Sequence, residues 1–159
     1  MSDEKNATIL IVDDEEMVTS SLRSFLQLET PYRIQTFTSP VEALQWLDGE
    51  PIDVVIADFM MPRMDGITFL KEVREKRPEA TRILLTGYAD KENAIRAINE
   101  AGLYYYLEKP WDNDQLQVII RNGVERATLF RQLDEKVSEL ESAHGDLAGI
   151  RNRLIKALI

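Results

Sequence analysis

The chain has no cysteine. That excludes a disulfide framework and zinc–thiolate chemistry, and it suits a reducing compartment such as the cytoplasm. Histidine is nearly absent too: His144 is the single one, so no site can draw on two imidazoles. No apolar run approaches the ~20 residues of a spanning helix. The polar start Met1-Ser2-Asp3-Glu4-Lys5 is not that of a signal peptide, and no membrane partner is expected. Basic residues are in deficit. The net charge is −9, with nearly all of the excess before residue 112, which argues against a broad basic face and hence against a nucleic-acid partner. A glycine-rich nucleotide loop and a histidine–aspartate metal pair are also missing, so the chain is not expected to be an enzyme. What remains is an apolar content of 44% in 159 residues, enough for one domain with a full core.

The chain is organised around the stretch 53–66. Ile52 to Ala57 is an almost unbroken apolar run, as expected for a strand buried on both faces of a parallel sheet. It stops on Asp58, where open α/β sheets present ligand-binding groups. A second run, Ile9 to Val12, stops on Asp13-Asp14. Strand and helix then alternate five times. The expected strands are Thr8–Val12, Tyr32–Phe37, Ile52–Ala57, Arg82–Leu85 and Leu103–Leu107. The expected helices are Glu15–Leu28, a segment opened by Ser39-Pro40-Val41-Glu42 and ending near Asp48-Gly49, Ile67–Lys76, Asp90–Ala101 and a long helix from Asn113. Ser39, Pro40 and Glu42 form a capping box. This alternation implies βαβ units and a parallel sheet with helices on both faces.

The strand ends collect a distinct chemistry: Asp13 and Asp14 from the first, Asp58 from the third, Thr86-Gly87 from the fourth and Lys109-Pro110 from the fifth. Three carboxylates in one pocket repel each other unless a hard divalent cation neutralises them, and oxygen-only ligands favour Mg²⁺, with Mn²⁺ as a substitute. A lysine and a hydroxyl facing that metal form a clamp for a phosphoryl group's oxygens. Gly87 leaves room beside Thr86 for such a group. No general base accompanies the pocket, which disfavours hydrolysis of an outside substrate. Asp65 and Gly66 read as a turn into the third helix, and Glu15 and Glu16 as partners of the first helix's positive end.

These residues resemble the receiver domain of bacterial two-component response regulators. The resemblance covers roughly residues 7–124 and rests on Asp13-Asp14, Asp58 with Met61-Pro62 and Asp65-Gly66, Thr86, and Lys109-Pro110, all in order at the strand ends. It implies a flavodoxin-like, doubly wound five-stranded sheet of order 2-1-3-4-5. It also implies phosphorylation of Asp58 by the phosphohistidine of a histidine kinase or phosphotransfer protein. Asp13 or Asp14, with Asp58 and the backbone carbonyl of Met60, would hold Mg²⁺, while Thr86 and Lys109 would bind the phosphoryl oxygens. Lys109-Pro110 would be a cis peptide. Tyr106 matches the aromatic that swings inward when Thr86 moves toward the phosphate. Met60 and Tyr88 would flank the water route to the acyl phosphate, and both are bulky, so slow self-dephosphorylation is expected. Gly87 stands where alanine is usual.

The domain is expected to span 7–126, and residues 127–159 to form a helical extension. From Phe130 the extension carries apolar residues at alternating steps of three and four: Phe130, Leu133, Val137, Leu140, Leu147, Leu154 and Leu158, with His144 and Arg151 as polar members. That pattern is a coiled-coil seam, with Leu133, Val137, Leu140, Leu147 and Leu154 buried only against a second helix, and Lys136 at position g opposite Glu141 at the following e favours a parallel homodimer. The same stripe fits a helix folded back on its own domain, and Gly145-Asp146 fits a break into a hairpin. The last residues, Leu158-Ile159, carry no cap, as in a helix running on into an output domain. Two functions stay open: a phosphorylation-switched module relaying its state through the extension, or a stand-alone adaptor or phosphate sink.

Overall fold

The β-branched and leucine-rich runs pair as expected in the computed structural model, which describes residues 6–87 and 91–144. Five parallel strands, β1 (Thr8–Val12), β2 (Arg33–Phe37), β3 (Val54–Asp58), β4 (Thr81–Thr86) and β5 (Tyr105–Glu108), form one sheet in the order β2-β1-β3-β4-β5. Between them lie α1 (Glu16–Glu29), α2 (Pro40–Leu47), α3 (Gly66–Lys76) and α4 (Lys91–Ala101), and α5 (Asn113–His144) follows β5. This is the flavodoxin-like doubly wound arrangement with a long C-terminal helix.

β1, β3 and β4 are buried along their whole length, so their side chains fill two cores. On one face Leu10, Val12, Val55 and Ala57 pack against Ala43, Leu47, Ile67, Leu70 and Val73 of α2 and α3. On the other, Ile9, Ile11, Val54, Ile56, Ile83 and Leu85 meet Leu22 and Leu26 of α1 and Leu116, Ile120 and Val124 of α5. Burying side chains of this size contributes about 1.5–3 kcal/mol each, which is why the middles of the central strands are apolar on both faces. Register decides the rest. Val12 pairs with Ala57, Asp58 with Leu85 and Thr86 with Glu108, so Asp13, Asp58, Thr86 and Lys109 all emerge at one edge of the sheet.

The helix ends follow local chemistry. Ser39 accepts the Glu42 N–H at 3.3 Å with Pro40 in the first turn, and Asp65 accepts the Thr68 N–H at 2.8 Å, each satisfying an N–H that the helix leaves without a partner. Gly102, with φ 62°, follows α4 in the left-handed conformation that glycine adopts freely. Element bounds shift by one or two residues from expectation. The third strand includes Asp58 because the ladder continues past it, Phe59 N–H donating to Leu85 O at 2.9 Å.

α5 runs 32 residues without a break, passing the expected boundary at Arg126 inside a continuous helix. The seam expectation needs correction at Val137. Phe130 and Val137 are 6% and 5% exposed within the single chain, so Val137 does not wait for a second helix. Alternating threes and fours identify an apolar stripe but not what covers it. Leu133 is half-buried and Leu140 is 49% exposed. Leu147, Arg151, Leu154, Leu158 and the Gly145-Asp146 break lie outside the described residues. Among the described residues no helix is long and apolar enough to cross a membrane.

Candidate functional site

Asp13, the residue after β1, is fully buried. Its Oδ1 accepts the Glu15 N–H at 2.9 Å and its Oδ2 accepts from Lys109 Nζ at 3.0 Å. Asp58 ends β3 facing the same lysine, Nζ to Oδ1 2.9 Å. One ammonium therefore bridges the two buried carboxylates. Asp14 is exposed at the rim, and one oxygen from each of Asp13, Asp14 and Asp58 lies within 4.8 Å of the others.

Burial dominates the electrostatics. It pushes the Asp58 carboxyl up from 3.8 to about 6, opposed by its hydrogen bond to Lys109 and helped by the charges of Asp13 and Asp14. Asp13 is raised for the same first reason, opposed by the Glu15 N–H and Lys109. Burial works against the Lys109 charge, but hydrogen bonds and charge from Asp58 and Asp13 outweigh it and raise its pKa. Carboxyls raised by burial are stabilised in their charged form by a nearby cation. Three carboxylates and one ammonium leave a net negative site of oxygen donors only, which fits a hard divalent cation. Asp13, Asp14 and Asp58 would hold it, with the Met60 carbonyl two residues after Asp58.

The frame is set by backbone contacts. Lys109 N–H donates to Thr86 O at 2.8 Å, and the Lys109-Pro110 bond is cis, as the resemblance implied. Thr86 is buried at the end of β4. Gly66 N–H donates to Phe59 O at 2.9 Å, and a Cβ on Gly66 would stand 2.3 Å from the Asp58 carbonyl oxygen. Gly66 is therefore required by close approach to the Asp58 backbone. Sequence reasoning placed it in a turn but missed this contact, and it also missed the Glu15 N–H as a partner of Asp13. The Asp-Gly pair after the loop was the only signal.

The remaining candidates divide. The Met60 side chain is exposed, whereas Met61 is tucked into the core. Gly87 is half-buried beside Thr86, and Tyr88 lies outside the described residues. Tyr106 points outward beside Tyr105, ring centroids 6.2 Å apart, on β5, which also carries Lys109 at its end.

Residues 9–121 match the family model described as the response regulator receiver domain. The chain is 46% identical over 143 residues to the hydrogenase transcriptional regulatory protein HoxA of Cupriavidus necator, covering 90% of this chain and 29% of that protein. It is 35% identical to the regulatory protein AtoC of Escherichia coli, covering 79% and 27%. Among solved structures, the receiver domain of an HD domain-containing protein from Pseudomonas fluorescens Pf-5 superposes with a TM-score of 0.76 at 36% identity, covering 80% of this chain and 93% of that one. The chain thus spans less than a third of these two curated relatives. HoxA is by name a transcriptional regulatory protein, so the expectation of no nucleic-acid partner, argued from charge, is not supported. With the motif order, the fold and the matched span in agreement, the chain belongs to the response regulator receiver domain family.

Proposed function

We propose that Asp58 accepts a phosphoryl group from the phosphohistidine of a sensor histidine kinase or phosphotransfer protein, in a reaction that requires Mg²⁺ or Mn²⁺. The observation that carries this reading is the shared ammonium, with Lys109 Nζ 2.9 Å from Asp58 and 3.0 Å from Asp13. A carboxylate oxygen of Asp58 attacks phosphorus, the phosphorus–nitrogen bond breaks, and the imidazole leaves. Lys109 pairs with a phosphoryl oxygen, and the Thr86 hydroxyl closes on a second; the salt bridge of Lys109 to Asp58 supports this reading. A divalent cation held by Asp13, Asp14, Asp58 and the Met60 carbonyl would neutralise charge developing on the phosphoryl oxygens. The chain's own part is to position and to exclude water, and it acts on no outside substrate.

The state is relayed as Thr86 moves toward the phosphate and Tyr106 turns inward, changing the β4–β5 face beside α5. The shares of its relatives that this chain spans favour a module feeding an output region over a stand-alone phosphate sink. The cysteine-free composition suits action in the cytoplasm. Intact mass after incubation with acetyl phosphate tests the chemistry: one phosphoryl group is expected with Mg²⁺, and none with EDTA or in Asp58→Asn. Full labelling of Asp58→Asn would overturn the assignment.

A further inference from the structure

At the opposite edge of the sheet from the phosphoacceptor sits a second buried acid. Asp53 immediately precedes β3 and is 5% exposed. Its Oδ2 accepts the Thr8 N–H at 2.8 Å. Its own N–H donates to Thr8 O at 3.0 Å, and its carbonyl accepts the Thr81 N–H at 2.8 Å. Asp53 therefore knots together the starts of β1, β3 and β4. Its remaining oxygen, Oδ1, faces Arg131 of α5, with Nη2 at 2.5 Å. The contact is one of charge: Oδ1 takes no hydrogen bond of ordinary geometry among the described residues.

Arg131 lies beyond the family-matched residues 9–121, on the part of α5 that continues past the sheet. The helix is already seated earlier along its length. Thr81 Oγ1 donates to Gly123 O at 2.7 Å, and Gly123 lies so close to the sheet that a Cβ there would meet Thr81 Cγ2 at 3.1 Å and Val54 Cγ2 at 3.2 Å. Two turns and a fraction further on, about 12 Å along the axis, Arg131 reaches back to the strand that ends on Asp58. Packing of Leu116, Ile120 and Val124 aligns the first turns of α5 with the sheet; Arg131 adds an ion pair further along, which resists rotation of the helix beyond that apolar patch.

We propose that the Asp53–Arg131 pair is a latch that locks the α5 extension in one direction and phase relative to the sheet. The extension is then an arm that carries any movement of the domain to the residues beyond it, whichever partner it meets there. Arginine suits the task because its planar guanidinium stays charged while its stem packs along the helix. The acid suits it because a carboxylate already buried and committed to Thr8 is costly to leave without a cation.

Hydrogen–deuterium exchange on the full chain tests the latch. Arg131→Met should speed amide exchange in residues 127–137 by roughly tenfold, the factor that ~1.4 kcal/mol commands, with the strands unchanged. Arg131→Lys should restore part of the protection. Asp53→Asn keeps an acceptor for Thr8 while removing the charge, and should release the same segment. Combining Asp53→Asn with Arg131→Met should release it no further than either change alone, because both break one contact. Unchanged exchange in 127–137 in Arg131→Met overturns the proposal. So does multiplication of the two effects in the double variant. A rise shared equally by the strands would also refute it, by showing a pair that holds the fold and not the arm.

Discussion

Replacing Asp58 by asparagine should make the metal-free protein more stable at neutral pH and flatten its stability between about pH 4 and 6. Folding buries this carboxyl and raises it from 3.8 to about 6, so the folded state holds the proton more tightly than the unfolded chain. Its contribution favours folding below 3.8 and is lost as pH rises through about 6. A rise of that size corresponds to roughly 3 kcal/mol between the two protonation states. Asparagine forfeits the charge pairing with Lys109, but Lys109 keeps Asp13 at 3.0 Å. A net gain of about 2 kcal/mol at neutral pH is therefore expected, or roughly 4–8 °C in melting temperature for a chain of this length. Asp13 is raised as well and leaves a smaller slope of the same sign in the variant. Lys109 titrates above this window. Thermal melts in EDTA at pH about 4.5 and about 7.5 make the comparison, and Mg²⁺ should then stabilise the native protein more than the variant. Equal pH slopes for the two proteins, or a less stable variant at neutral pH, would refute the burial argument.

Gly66→Ala should cost about 1–3 kcal/mol, since its Cβ would meet the Asp58 carbonyl at 2.3 Å. Urea unfolding measures this, and a neutral substitution would show that the loop yields freely. Small polar replacements at Met60 and Tyr88 together should shorten the acyl phosphate's half-life, followed by loss of the added mass over time. Unchanged decay would place the water route elsewhere. Leu133 and Leu140, half-buried and exposed within the single chain, should form the seam of a parallel homodimer. Light scattering should then give twice 18.3 kDa, and Leu133→Asp with Leu140→Asp should halve it. A native chain that is monomeric at high micromolar concentration would leave the stripe to its own domain.

Much of this protein is written locally. Ile9–Val12 and Ile52–Ala57 read as doubly buried strands because nothing polar interrupts them, and Asp13, Asp14 and Asp58 announce a pocket because they stop those runs. Ser39-Pro40 and Asp65-Gly66 mark helix starts through bonds spanning three residues. Each signal depends only on neighbours, so the chain alone determines it. Tertiary structure decided what depends on partners far apart in sequence. Arg82 reads only as the start of a strand, and the fold buries its guanidinium against the carbonyls of Ala80 and Ala101. Asp53 received no role from the sequence, and packing brings Thr8 and Arg131 to it from the two ends of the domain. Val137 reads as one member of a seam and is buried without a second chain. Periodicity tells which face of a helix is apolar; only the folded chain supplies the surface that covers it.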